Sequence, residues 1–450
     1  KYIFFVVGVM CTLLSHTAYA IDLNKSDANI IGHVLEKKTG EHLPYMTVAL
    51  KGTTIGTMTD GTGHYFLKNL PEGEFILSVS AVGYKPQERK VTLKRGKTLE
   101  ENFELEEDMV ALDGVVVTAN RNETARRLAP TLVKVVTPKL FDMTNSHTLS
   151  QGLVFQPGVR VENDCQNCGY SQVRINGMDG KYTQILIDSR PIFSALAGVY
   201  GLEQIPANMI ERVEVVRGGG SALFGSSAIA GTVNIITKEP LRNSGSFAHS
   251  ISNFDGSGSF DNNTTLNLSL VSSDNKMGAY IYGQNRHRSA WDSNGDSFSE
   301  LPKLKNQTVG VNAYYRLSPY SKLNLEYHHM EEFRRGGNRF DLPPHIAEDA
   351  NLNGSGEPGL VEQIEHSINT GGLKFSAFSK DQKHAFNAYA SAQHIVRDSY
   401  YSAYGHTTDF TGVLGVQYIY HFDKLFFMPS DLTGGVEFNH DNLCLLYTSD

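Results

Sequence analysis

The 450-residue sequence has little that would mark a helical membrane protein, a nucleic-acid binder or an enzyme. Beyond its first twenty residues it lacks any charge-free apolar stretch near the roughly 20 residues a membrane-spanning helix needs. No run of Lys or Arg is long enough to track phosphates, and the formal net charge is −8, so nucleic acid is not an expected partner. No Ser-His-Asp set, no motif of paired carboxylates and no His-x-x-x-His at helical spacing occurs. No catalytic residue is therefore assigned, and no cofactor is required. Cysteine is scarce, with four in all.

What is present divides the chain. Its length exceeds what one hydrophobic core usually supports, so two to four domains are expected. Lys1, the apolar run from Tyr2 to Leu14 and the small-x-small Ala18-Tyr19-Ala20 follow the grammar of a secretory leader over residues 1–20. Cys11 follows Met10 rather than a small residue, so no lipoprotein box is present. Because the sequence opens on Lys1 rather than Met, the front of the leader is expected to be missing. In the oxidising compartment beyond, Cys165 and Cys168 are a candidate disulfide and Cys444 is the odd one out.

Over residues 28–106, short period-two runs such as Ile30–Val34, Thr47–Leu50, Phe75–Val79 and Lys90–Leu93 are spaced by turn residues, which predicts a small β-sandwich. The phrase from Lys51 to Phe66 resembles the carboxypeptidase regulatory-like domain, a transthyretin-like sandwich without catalytic residues of its own. The resemblance implies a spacer or docking role.

Residues 107–122 form an acidic linker ending in an extended segment with three successive valines. Such a segment can add itself to another protein's sheet through main-chain hydrogen bonds. Asp113, Gly114, Val115, Val116, Val117, Thr118 and Ala119 closely resemble the TonB box of cobalamin receptors, where the alternative is a buried strand of the next domain. Over residues 123–240, an alternating strand, a glycine-rich bend and a second apolar strand run from Ile210 to Lys238. That phrase, with Gln172–Gly177 and Gln184–Ile192 before it, is similar to the α/β plug of TonB-dependent outer-membrane receptors.

From residue 241 to 450 the pattern becomes alternating strands of membrane-barrel length. Leu266, Leu268 and Leu270 share one face against Asn267 and Ser269, and Val309, Val311, Ala313, Tyr315 and Leu317 share one opposite Asn312 and Arg316. Short turns at Ser272–Lys276, Ser318–Ser321 and Ser379–Gln382 interleave with longer connections at Ser289–Leu304, Arg334–Val361 and Asp398–Thr408, as a barrel inserted from one side requires. The reading is mainly β: about nine strands of an antiparallel transmembrane barrel, where the resemblance implies roughly 22. An open edge cannot face lipid, so the chain is expected to be the front of a longer protein. The alternation fades from Asn442 to Asp450.

The resemblance implies active import of a scarce nutrient of the cobalamin, haem or ferric siderophore class across the Gram-negative outer membrane. TonB and its ExbB/ExbD energy complex would pull on the box from the periplasm, and outer-membrane lipid would surround the wall. The alternatives are glycan or peptide import with a surface lipoprotein, and a surface binding protein without transport. Arg174 and Arg217 align with plug arginines that pair with barrel carboxylates, a role suited to the guanidinium fork. Cys165-Gln166-Asn167-Cys168 falls at the first apical loop of the plug, where a disulfide, a redox switch and a soft metal ligand all remain open, the disulfide favoured. Asp292, Asn294, Asp296 and Glu300 space oxygen ligands as the start of a calcium loop does, although Ser297 and Lys303 stand where Gly and a bidentate Glu are wanted. His328 and His329 are strand neighbours and face opposite sides, so they do not share an ion.

Overall fold

Period-two patterning becomes strand almost throughout in the computed structural model, which describes residues 28–44, 46–60, 62–81, 84–107, 115–116, 124–125, 133–165, 170–190, 205–219, 224–225, 228–349, 359–381, 383–425 and 428–448. The expected leader lies outside these residues.

The first unit contains β1 (Ala28–Glu36), β2 (Thr47–Leu50), β3 (Gly56–Met58), β4 (His64–Leu70), β5 (Gly73–Ser80), β6 (Gln87–Leu93), β7 (Thr98–Glu100) and β8 (Phe103–Leu105). They form two sheets. One runs β3-β2-β5-β6; in the other, β1 pairs with β4 antiparallel and with β7 and β8 in parallel. Alternate residues of each sheet, such as Ile30, Val34 and Leu67 against Val48, Leu77 and Val79, fill a shared apolar core. In the linker, β9 (Val115–Val116) pairs antiparallel with β10 (Thr124–Ala125).

The plug contains β11 (Val133–Val136), α1 (Pro138–Met143), α2 (Leu149–Leu153), β12 (Val159–Cys165), β13 (Tyr170–Ile175), β14 (Thr183–Ile187), β15 (Ile210–Arg217) and β16 (Gly231–Thr237). Pro138 opens α1, where its missing N–H costs nothing. The sheet order is β11-β15-β16-β14, parallel only between β14 and β16, and β12 and β13 form a separate hairpin. Val213, Val215, Val233 and Ile235 are buried against Leu149, Leu153 and Val173, and the same core takes in Tyr280 and Tyr282 of the barrel.

The wall is a nine-stranded meander of β17 (Ser244–Asn253), β18 (Phe260–Val271), β19 (Met277–Arg288), β20 (Lys303–Ser318), β21 (Ser321–Gly337), β22 (Val361–Phe378), β23 (His384–Tyr401), β24 (Tyr404–Leu425) and β25 (Met428–Thr448), with a short helix α3 (Pro344–Ala347) in the connection after β21. Leu266, Leu268, Leu270, Val309, Leu414 and Phe438 stand exposed on one face, while Asp261, Asn263, Ser269 and Arg286 are buried on the other. A contiguous apolar outer face over a polar inner one is the arrangement hydrocarbon requires. β17 and β25 are the edges of the sheet.

One expectation is corrected. The segment from Asp398 to Thr408 is not a long loop: β23 runs to Tyr401 and β24 resumes at Tyr404, with left-handed Ser402 in the turn. At 18 and 22 residues, these strands outrun the roughly 9–11 needed to cross a bilayer. Their ends are therefore free to carry polar pairs such as Asp398 with His406, 2.6 Å apart across the ladder, and that polarity imitates a loop. Where the alternation fades, from Asn442, β25 nonetheless continues to Thr448, paired with β24.

Candidate functional site

The plug meets the wall along its β14–β16 side. After β14 the chain reverses through Asp188 (φ 47°) and Ser189 (φ 66°), two successive left-handed residues without glycine's freedom. Arg190 and Ile187 close the turn by exchanging backbone hydrogen bonds of 2.9 and 3.0 Å. β16 holds the strained turn. Thr237 donates to Asp188 through its backbone N–H at 3.0 Å and its hydroxyl at 2.7 Å, and the Asn234 side chain accepts from the Ser189 N–H at 2.9 Å. The turn aims Arg190 at Glu326 on β21, and the two form an ion pair with side chains only 6% and 14% exposed. Asp188 lies 3.9 Å from the same guanidinium. Gly372 on β22 leaves room for the pair: a Cβ there would fall 2.5 Å from Glu326 Oε1 and 2.6 Å from Arg190 Nη1.

A second tie sits where the plug passes into the wall. Both Glu239 oxygens accept from Lys322 at 3.0 Å, and Asn324 adds a longer bond. The Lys322 ammonium holds the Glu239 carboxyl below the usual carboxylate range, against the opposing effect of burial. Asn312 of β20 donates to the Lys238 carbonyl at 3.4 Å. Neutral contacts complete the seam: Tyr280 donates to the Asn208 carbonyl at 2.8 Å, Asn208 donates to Asn267 at 3.0 Å, and His147 meets Ser250 at 3.2 Å. Burial pushes the His147 imidazole down, keeping it neutral between these polar groups.

The contacts shown by the two arginines expected to reach the barrel stay within the plug. Arg174 on β13 pairs with Glu162 across the hairpin, and Glu162 also holds Arg160 at 3.1 Å. The register explains this, since Arg174 stands directly opposite Arg160, and Glu162, two residues along the strand from Arg160 and on the same face, is diagonal to Arg174. Arg217 lies over Gly158, whose missing Cβ would touch its guanidinium at 2.5 Å. Among the described residues, a plug arginine that does meet a barrel carboxylate is Arg190. The sequence signal for it is slight: Asp-Ser-Arg after an apolar strand, two of them tolerant of left-handed turns.

In the TonB-box segment, Val115 and Val116 pair with Ala125 and Thr124; Asp113, Gly114, Val117, Thr118 and Ala119 lie outside the described residues. Cys168 lies outside them as well, and for Cys165 the description ends at the backbone of β12, so the expected disulfide falls there too. Cys444 is a free, exposed thiol.

The acidic segment after β19 closes on itself. Asp292, Asp296 and Glu300 each place a carboxylate oxygen within 4.8 Å of the others, a span compatible with one hard cation. These carboxylates already accept backbone hydrogen bonds: Asp292 from Gly295 at 2.7 Å and Ser297 at 2.8 Å, Asp296 from Phe298 at 2.8 Å, and Glu300 from Ser293 at 2.5 Å. Asn294 bonds Asp296 rather than pointing a free oxygen inward.

A small α/β domain seated against an apolar-faced meander by one buried ion pair, Arg190–Glu326, and one more exposed pair, Lys322–Glu239, has the arrangement of a plugged outer-membrane barrel. Residues 30–117 match the CarboxypepD_reg-like domain and residues 125–232 match the TonB-dependent receptor plug domain. Over 229 residues the chain is 32% identical to the vitamin B12 transporter BtuB of Vibrio vulnificus strain YJ016, covering 44% of this chain and 37% of that one. Over 128 residues it is 37% identical to the BtuB of Photobacterium profundum, covering 28% and 20%. Among solved structures, the siderophore receptor PirA of Acinetobacter baumannii superposes with a TM-score of 0.58 at 20% identity, covering 71% of this chain and 49% of that one. The alcaligin receptor FauA of Bordetella pertussis gives 0.57 at 15% identity, covering 74% and 51%. The chain thus carries a TonB-dependent receptor plug domain and is similar in sequence and fold to outer-membrane receptors. It spans under two fifths of these curated relatives' length and about half of these structures', and these relatives are transporters and receptors rather than enzymes.

Proposed function

We propose that the protein imports a small, scarce chelate, of the cobalamin, haem or ferric siderophore class, by letting TonB pull on residues 113–119 and remodel the plug. The observation that carries this reading is the seating of the plug: its sheet is held to the inner side of the wall by Arg190–Glu326 and Lys322–Glu239, ties that a directed pull would break. An extended valine segment lies just upstream of the plug, as a handle must. Sequence likeness to vitamin B12 transporters favours cobalamin within the class. Glycan or peptide import with a surface lipoprotein, and surface binding without transport, find no comparable support. The test is uptake of labelled cobalamin by cells that lack their own transporter and express the full-length receptor, with and without TonB and ExbB/ExbD. Uptake that requires TonB supports the proposal, and uptake independent of TonB refutes it.

Calcium is a subsidiary part of this proposal. Asp292, Asp296 and Glu300, with Asn294 beside them, would hold the ion in a loop at one end of the barrel. Binding would exchange their backbone hydrogen bonds for oxygen–calcium contacts and order the loop for its ligand.

A further inference from the structure

The amino-terminal sandwich, residues 28–107, contains three histidines, His33, His42 and His64, and the fold brings all three together. His33 on β1 stands directly across the ladder from His64 on β4. His42 follows the turn after β1, bridged to Leu35. It fits beside the 62–64 turn because residue 63 is glycine: at φ +77° a Cβ on Gly63 would lie 2.8 Å from His42 Cβ. The ring centres are 5.0 Å apart for His42–His64, 5.3 Å for His33–His42 and 5.7 Å for His33–His64. Three imidazoles bound to one tetrahedral ion at about 2.0–2.1 Å place their ring centres about 5 Å apart, so the triangle already has the size of a ligand set. Turning the ring nitrogens onto a common point takes rotation about χ2, a broad torsion, on rings that are exposed or half-buried.

One member is also oriented from behind. Thr62 Oγ1 is 2.7 Å from Asp60 Oδ1 and 3.1 Å from His64 Nδ1. A hydroxyl has one hydrogen and an ionised carboxylate only accepts, so Thr62 donates to Asp60 and its oxygen accepts from His64 Nδ1–H. Asp60 Oδ1 also accepts from the Thr62 and His64 backbone N–H groups, at 2.8 and 3.1 Å, which fixes the carboxylate behind the ring. The proton on Nδ1 leaves the lone pair of Nε2 for a ligand. A carboxylate acting through a bridging donor to fix a histidine tautomer is the outer-shell arrangement of metal sites.

We infer that His33, His42 and His64 form a binding site for a borderline divalent cation of the zinc class, three imidazoles with an open fourth position, on the periplasmic domain. Imidazole ligands without thiolate suit zinc, copper(II) and nickel(II) over calcium or magnesium. The ion would tie β1, the segment at residue 42 and β4 at one end of the sandwich. The inference is independent of the transported substrate.

The experiment uses the full chain, untagged and stripped by chelator, dialysed against low-micromolar Zn2+ and counted for bound metal, with Cu2+ as spectroscopic probe. The wild type is expected to keep one more zinc equivalent than His42→Ala, and its copper spectrum to show coupling to several nitrogens that His42→Ala reduces. Because His42 is exposed, folding of this variant is not at risk; His64→Asn provides a second, independent deletion. Thr62→Val, which removes only the orienting hydroxyl, is expected to weaken zinc binding about tenfold to a hundredfold. Equal zinc content and an unchanged copper spectrum in wild type, His42→Ala and His64→Asn would overturn the site.

Discussion

Replacing Glu326 by Gln deletes one charge and keeps the shape, so it isolates the electrostatic part of the Arg190–Glu326 tie. The guanidinium is 6% exposed and cannot rehydrate where it stands. Asp188, its other carboxylate neighbour, lies 3.9 Å away and is already engaged by Thr237. Removing one partner of a buried pair costs about 3–5 kcal/mol because the survivor is stranded; the residual Asp188 contact and the amide oxygen put the expected loss at the lower end, about 3 kcal/mol. That loss falls on the docked plug. Amides of β14, which hydrogen-bond only to β16 within the sheet, should then exchange with solvent about a hundredfold faster, provided exchange follows opening at equilibrium. The assay is hydrogen exchange on peptides covering residues 183–187, with peptides from the β5–β6 hairpin of the sandwich as internal control. Arg190→Met combined with Glu326→Met, which strands no charge, should lie much nearer wild type than either single change. Exchange in Glu326→Gln within about threefold of wild type, a difference worth under 1 kcal/mol, would show that the pair does not hold the plug.

Four further outcomes are expected. Val116→Pro removes a backbone donor and fixes φ, so energised uptake should be lost with ligand binding at the surface intact; normal uptake would remove the handle assigned to residues 113–119. Intact mass after alkylation without reductant should find Cys165 and Cys168 unlabelled and Cys444 labelled, and label on both of the first two would exclude their disulfide. If Asp292 and Asp296 hold calcium, ligand affinity should rise in millimolar calcium and the double alanine variant should lose that dependence; identical wild-type affinity with and without calcium leaves only a polar turn. The Glu239 carboxyl is depressed by Lys322, with smaller help from Lys374 and Arg316. Its stabilisation is therefore present above an unfolded value of about 4.3 and lost as pH falls below that. Proteolytic nicking of residues 238–243 should increase below about pH 4 in wild type, whereas Lys322→Met should nick readily at neutral pH with little further change.

The strands were legible because a bilayer and a polar lumen leave one pattern available: Leu266, Leu268 and Leu270 on one face cannot be a helix or a loop. The plug strands Ile210–Arg217 and Gly231–Thr237 were legible for the same reason, as apolar runs joined by glycine. Polar strand ends were misread, because Asp398 and His406 look like loop residues until the ladder sets them opposite each other. Clusters built by topology were invisible. His33, His42 and His64 have a spacing that belongs to no motif, and only the β1–β4 register and a glycine at 63 bring them together.

Arg190 was missed for a related reason, and its setting says more than its identity. The turn that presents it contains two left-handed non-glycine residues, each worth about 1 kcal/mol of strain, and the groups that hold this turn, Asn234 and Thr237, belong to β16. β16 is also the parallel partner of β14. Ion pair, strained turn and plug sheet therefore stand or fall together: a displacement that peels β14 from β16 frees the turn, and once free the turn no longer aims Arg190 at Glu326. A tie of this kind resists thermal opening with its full strength, yet yields in one step when the sheet itself is drawn out.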